Sequence, residues 1–164
     1  MTSESQTTHR KLDGRIELEE ATNTVIQLAQ RQLRIFDYNL SDGSYNSAAR
    51  FDLLRNFLLA SRANRLDIVL HDTDYLTRQC PRMMLLIQQF SDAIRVNTTT
   101  PETKSIYDPF LVADQMHYVH RFHYDSPRAL MALYDAPGAL AMYRRYDEIW
   151  EASMPSTFAT TLGL

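Results

Sequence analysis

The chain has 164 residues, 45% of them hydrophobic and 23% charged, with a net charge of −3. This is the profile of one globular domain and excludes a disordered or fibrous chain. A pI near 5.9 gives no broad electrostatic footprint for nucleic acid, and a single cysteine, Cys80, excludes an internal disulfide. A reducing, cytoplasmic setting is expected. No apolar run, Met83 to Ile87 among them, approaches the roughly 18 residues of a membrane helix.

Residues 1–12 are rich in Ser, Thr and charge, which predicts a disordered tail with no secretory signal. From 13 to 164 one domain is expected. Leu18, Ala21, Val25, Leu28 and Ala29 form a helical stripe, and Leu33 to Tyr38 alternates as a strand. Ser47 is a candidate N-cap for a helix running to Arg62. Leu66 to Leu70 has the continuous apolar character of an interior strand and runs into His71-Asp72. A helix follows, which Pro81 must break or restart. Ala93 to Asn97 predicts a third strand.

Tyr107 to Ala113 and Met116 to Phe122, separated by Asp114-Gln115, predict a hairpin. Ser126-Pro127 predicts a short helix, and Pro137 starts a last one bearing Leu140, Tyr143, Tyr146 and Trp150. Met154 to Leu164 is expected to be a tail. The order predicts an α/β fold: a mixed, mostly parallel sheet with helices on both faces.

Candidate chemistry is sparse. Asp72 and Asp74 sit just past a parallel strand, where ligands gather in open α/β sheets. Two acids there suit Mg²⁺ with a phosphate, or they cap a helix. Arg82 follows Pro81 at a helix start, where a guanidinium beside free amides can hold an anion. With Arg121 and Tyr107 it is expected to line a pocket. His117, His120 and His123 would cluster on a helix, but their surroundings predict a strand. A three-residue step there reverses the face, so no metal site is expected. Cys80 has no histidine at a suggestive spacing and is expected to be structural. The chain's four glycines form neither a phosphate loop nor a dinucleotide fingerprint, so no cofactor is expected. Fifteen of the 17 basic residues are Arg, the exceptions being Lys11 and Lys104. That bias suits an anion-binding surface and equally a compositional bias of the genome.

Three features resemble one half of the phospholipase D superfamily. They are the strand Leu66–Leu70 running into His71-Asp72, the hairpin from Phe110 to Val119, and a terminal helix with Tyr146-Asp147-Glu148-Ile149-Trp150. Leu12-Asp13-Gly14, Leu66 to Asp72, Phe110 to Asp114 and Trp150 to Leu164 also resemble an uncharacterised bacterial family, often fused behind an acetyltransferase domain. The resemblance implies the superfamily's fold, pairing into a homodimer, and a phosphodiester site built on His-x-Lys with Asp after four intervening residues. With Asp114 as the motif Asp, the His position holds Tyr107 and the Lys position holds Pro109. A phenol with an ordinary pKa of about 10 is a poor phosphate nucleophile, and proline has no charge to steady a phosphate. The expected function is a non-catalytic binding or regulatory module, with an acetyltransferase or another protein as partner, or with a phosphate-bearing ligand. One alternative is a phosphodiesterase rebuilt around a metal on Asp72, Asp74, Tyr107 and His117. The other is nucleic-acid binding, which the net charge disfavours.

Overall fold

The computed structural model describes residues 6–158, and Thr8–Leu12 there is a strand, β1, where a disordered tail was expected. Helix α1 (Arg15–Leu28) leads into β2 (Gln32–Asp37), α2 (Ala48–Ala60) into β3 (Arg65–Leu70), and α3 (Asp74–Gln79) and α4 (Pro81–Gln89) into β4 (Ile94–Thr99). After a 3₁₀ turn at Pro101–Thr103 come β5 (Phe110–Ala113), β6 (His117–Arg121), β7 (Ala129–Leu133), α5 (Ala136–Glu151) and β8 (Ser153–Pro155).

All eight strands join one sheet in the order β1-β7-β6-β5-β2-β3-β4-β8. The sheet is mixed and flanked by helices, as expected, but its parallel part is smaller than expected. Only β2-β3 and β3-β4 are parallel; the other five pairings are antiparallel. The excess comes from strands that sequence patterning hid. β1 is polar because it is an edge strand: its main chain pairs with β7, and Leu12 alone is buried. The helix expected at Ser126-Pro127 is irregular chain that follows a turn at Tyr124-Asp125 and leads into β7. Ala129 and Met131 alternate into the core, and both edges of β7 are paired. The expected C-terminal tail begins as β8, paired with β4. Residues 1–5 and 159–164 lie outside the described residues.

Period-two alternation decides which helix covers which face. Leu33, Ile35, Leu66, Ile68 and Leu70 pack with Leu18, Val25, Leu54, Met83 and Leu86 of α1, α2 and α4. On the opposite face, Phe36, Val69 and Phe110 pack with Tyr146 and Ile149 of α5. Ser47 caps α2, its hydroxyl accepting the Arg50 amide at 3.1 Å, and Asp135 caps α5 through the Gly138 amide. The Asp114-Gln115 turn closes with φ of 57° and 55°, the left-handed pair that matches the twist of a two-residue hairpin.

Candidate functional site

The parallel strands β2 and β3 end on one edge of the sheet, and β5 starts there while β6 finishes there. Side chains just beyond these ends converge. Tyr38 follows β2, His71 follows β3, Tyr107 precedes β5, and His123 and Tyr124 follow β6. Their rings form a continuous strip. His123 stacks on Tyr107 with centroids 5.7 Å apart and on Tyr124 at 4.6 Å. Tyr124 stacks on Tyr38 at 4.8 Å, and Tyr38 meets His71 edge-on at 5.7 Å. Tyr38 and Tyr107 are 38% and 52% exposed, so the strip keeps open ring surface.

His71 is chemically quiet. Its Nε2 donates to the Ile106 carbonyl at 2.7 Å, which leaves Nδ1 to accept the Thr99 hydroxyl at 2.7 Å. Burial pushes its pKa below the usual imidazole value. A neutral imidazole with both nitrogens engaged has no lone pair to offer phosphorus. Above it Lys104 Nζ donates to the His71 carbonyl at 2.6 Å. Lys104 faces a cavity shared with Tyr38, Asp72, Thr73 and Thr98. Among the described residues it has no carboxylate partner, whereas the nearby guanidiniums do. Arg121 is buried, bonded to Asp42 at 3.1 Å and to the carbonyls of Tyr124 and Ser126. Arg145 grips both oxygens of Asp108.

Asp108 also accepts from His120 Nε2 at 2.7 Å. Burial raises its pKa, but the bonds from Arg145 and His120 outweigh burial and hold the carboxyl below its usual range. These three side chains line a cavity with Tyr107, Phe122 and His123. Behind the strip, Asp37 is buried and its carboxyl is pushed up to about 6 by desolvation, against the pull of Arg121.

Of the residues singled out in the sequence, Asp72, Tyr107 and Arg121 lie on this edge. Asp74 lies one turn further on, exposed in the first turn of α3, with its amide donating to Asp72 Oδ1 at 2.8 Å. Arg82 is elsewhere: its guanidinium bonds the Asn46 carbonyl at 2.9 Å, and it lines no cavity with Tyr107 or Arg121. His117 is buried beside Asp114, at the other end of the β5–β6 hairpin. There its Nδ1 accepts the Tyr134 amide at 3.0 Å, and burial lowers its pKa. Tyr107 lies six positions from Ala113, the partner of His117, or about 20 Å of extended chain. The metal-assisted arrangement of Asp72, Asp74, Tyr107 and His117 is therefore not formed. Asp114 is likewise far from Tyr107, its carboxylate taking the amides of Gln30, Arg31 and Gln32 at 2.6, 2.8 and 2.8 Å. Pro109 is buried in the wall of an apolar cavity with Phe110 and Leu111.

Tyr38, Lys104, Asp108, Tyr124 and Arg145 were not picked out from sequence, and His120 was weighed there only as a metal ligand. Tyr38 and His71 stand one residue past parallel strands, the position where open α/β sheets place ligands, so that rule applied to β2 would have named Tyr38. Arg145 carries no local signal, because its partner Asp108 is 37 positions away.

A family model described as "Domain of unknown function (DUF7931)" matches residues 15–161. The chain belongs to this family. No curated protein matches the DUF7931 chain. Among solved structures it is similar to TrmBL2, an archaeal chromatin protein with a novel mode of DNA binding, at TM-score 0.67 and 12% identity. That match covers 90% of this chain and 54% of TrmBL2, so the chain spans about half of that protein's length. Nuc from Salmonella typhimurium, a phospholipase D family member, matches at TM-score 0.62 and 11% identity over 92% of this chain and 99% of Nuc. NucT from Helicobacter pylori matches at 0.62 and 12%, covering 92% and 100%. The DUF7931 domain thus has a phospholipase D-like fold. The DNA-binding neighbour does not fit the expectation that nucleic acid is a poor partner for such a chain. No described helix is long and apolar enough to cross a membrane.

Proposed function

We propose that the domain is a non-catalytic, phospholipase D-like binding module whose carboxyl edge takes an anionic ligand bearing a planar group. The observation that carries this reading is the strip Tyr107–His123–Tyr124–Tyr38–His71, beside which stands the Lys104 ammonium, without a carboxylate partner among the described residues. Open ring faces stack a planar group, at about 1–3 kcal/mol for each stacked base. An ammonium with two N–H groups left over binds a phosphate or carboxylate as a point charge. The motif positions of the superfamily argue against cleavage of a phosphodiester by its phospho-enzyme route. In the register that the resemblance implies, Tyr107 falls at the nucleophile position and Pro109 at the lysine position, and the nearby His71 has both nitrogens occupied.

Titration calorimetry with nucleoside monophosphates and aryl phosphates tests this. Binding is expected, weakened about tenfold or more by Lys104→Ala and by Tyr38→Ala, with no turnover. No heat from any of these ligands, or equal affinity in the variants, refutes it. The strip favours one second reading, a single-stranded nucleic acid laid along the same rings, in line with DNA binding by TrmBL2. A short oligonucleotide that binds with a steep salt dependence, where the mononucleotides fail, selects that reading. The resemblance adds a protein partner, an acetyltransferase domain or a second copy of this chain. Light scattering of the purified chain reads the second.

A further inference from the structure

Lys104 shares its cavity with a carboxylate, and the pair narrows the class of ligand that the carboxyl edge can take. The cavity, about 520 Å³, is lined by Tyr38, His71, Asp72, Thr73, Thr98 and Lys104. It differs from its neighbours along the edge in the bonding capacity its side chains leave open. Beside Tyr107, Arg145 and His120 engage both oxygens of Asp108. Beside Tyr124, Arg121 is taken up by Asp42 and two carbonyls. In the Lys104 cavity, Nζ makes one hydrogen bond, to the His71 carbonyl. Asp72 Oδ1 accepts the Asp74 amide at 2.8 Å, while Oδ2 accepts from no described residue. The hydroxyls of Thr73 and Thr98 likewise bond no described residue.

An ionised carboxylate offers acceptors alone. It repels a phosphate and calls for a hydroxyl or amino donor. A ligand that suits this cavity therefore carries an anion for Lys104 and neutral donors for Asp72, with the threonine hydroxyls able to give or take. In a nucleotide the sugar lies between base and phosphate. With the base against the exposed ring of Tyr38 and the phosphate on Lys104, the sugar is the group that enters the cavity. A carboxylate is the side chain that dinucleotide folds use to bond a ribose 2′-hydroxyl, the group that separates ribose from deoxyribose.

We infer that Asp72 reads the ribose hydroxyls of a ribonucleotide whose phosphate sits on Lys104, a role that rests on the binding reading above and adds a sugar specificity to it.

Calorimetry with AMP, 2′-deoxy-AMP, GMP and phenyl phosphate, on the full chain and on Asp72→Asn and Asp72→Ala, tests it. AMP is expected to bind about tenfold more tightly than 2′-deoxy-AMP, the scale of one hydrogen bond to a charged group. Asp72→Asn keeps an acceptor for the Asp74 amide and is expected to lower AMP affinity and bring the two nucleotides level, as is Asp72→Ala. 2′-Deoxy-AMP is expected to bind both variants at least as well as the parent chain, because a negative charge near its phosphate is gone. Equal affinity for AMP and 2′-deoxy-AMP in the parent chain, or a preference that survives in the variants, overturns the role of Asp72 and leaves the planar-anion reading standing. Binding of phenyl phosphate without any nucleotide has the same consequence. A preference for GMP over AMP that ignores the 2′-hydroxyl and disappears in Asp72→Asn puts the carboxylate on a base edge and also overturns it. If phenyl phosphate and all the nucleotides fail together, the binding reading itself falls.

Discussion

Asp114 takes three amides of the α1–β2 connection on one carboxylate, which ties the β5–β6 turn to the start of β2. A carboxamide in its place offers one oxygen and turns an NH₂ group towards N–H donors. Asp114→Asn is therefore expected to cost about 2–3 kcal/mol, the scale of lost charge-assisted bonds and stranded donors; a shift in the urea midpoint at unchanged slope measures it. The position was legible as a motif Asp in sequence, but its work is structural, and only the fold shows that it lies far from Tyr107. Asp37 leaves a mark on pH dependence. Its carboxyl titrates near 6 in the folded chain against 3.8 ordinarily, so between those values the folded state holds the proton more often than the unfolded one. Stability from this group is greatest below about 4 and falls as pH rises to about 6, by roughly 3 kcal/mol at most. The buried, neutral His71 and His117 act in the opposite sense, since their lowered pKa values remove stability as pH falls below 6.5. Asp37→Asn is expected to leave only the histidine slope in urea titrations from pH 5 to 7, above the range where the lowered carboxyls of Asp108 and Asp135 contribute. An unchanged pH profile in that variant contradicts this assignment.

Elements with an unbroken apolar signal were legible; those held by main-chain pairing were not. β3 is buried along Leu66 to Leu70, and α2 carries both a capping Ser47 and a broad buried face, so pattern and structure coincide. β1 reads as Thr-His-Arg-Lys-Leu, a charged run with one apolar anchor. An edge strand needs no more than that, because one face of it meets solvent and its partner supplies the register. Leu12 is 1% exposed. Leu12→Ala is expected to cost about 2–4 kcal/mol, and the amides of β1 that pair with β7 to show slow hydrogen exchange. Rapid exchange of Thr8 to Leu12 together with a neutral Leu12→Ala restores the tail.

At the scale of the molecule, the candidate site is made of loops brought together by sheet order. β5 lies beside β2 although α2, β3, α4 and β4 intervene in sequence, and this brings Tyr107 and Tyr124 up to Tyr38 and His71. Tyr38 and Tyr124 stack across 86 positions of chain, and no local pattern signals a contact of that kind. The residues at the ends of strands were partly legible, while the ring strip and the Lys104 ammonium depend on topology. Proteins of similar fold include a DNA-binding chromatin protein and a phospholipase D family member, so under the proposed reading the side chains at this edge decide between binding and cleavage. Phosphorus NMR of a thymidine aryl phosphodiester, titrated with the protein and followed for a day, reads both outcomes in one tube. The binding reading predicts a saturable shift or broadening of the diester resonance, reduced in Lys104→Ala, with no new signal. A growing phosphomonoester resonance, or a diester line unmoved at saturating protein, contradicts it.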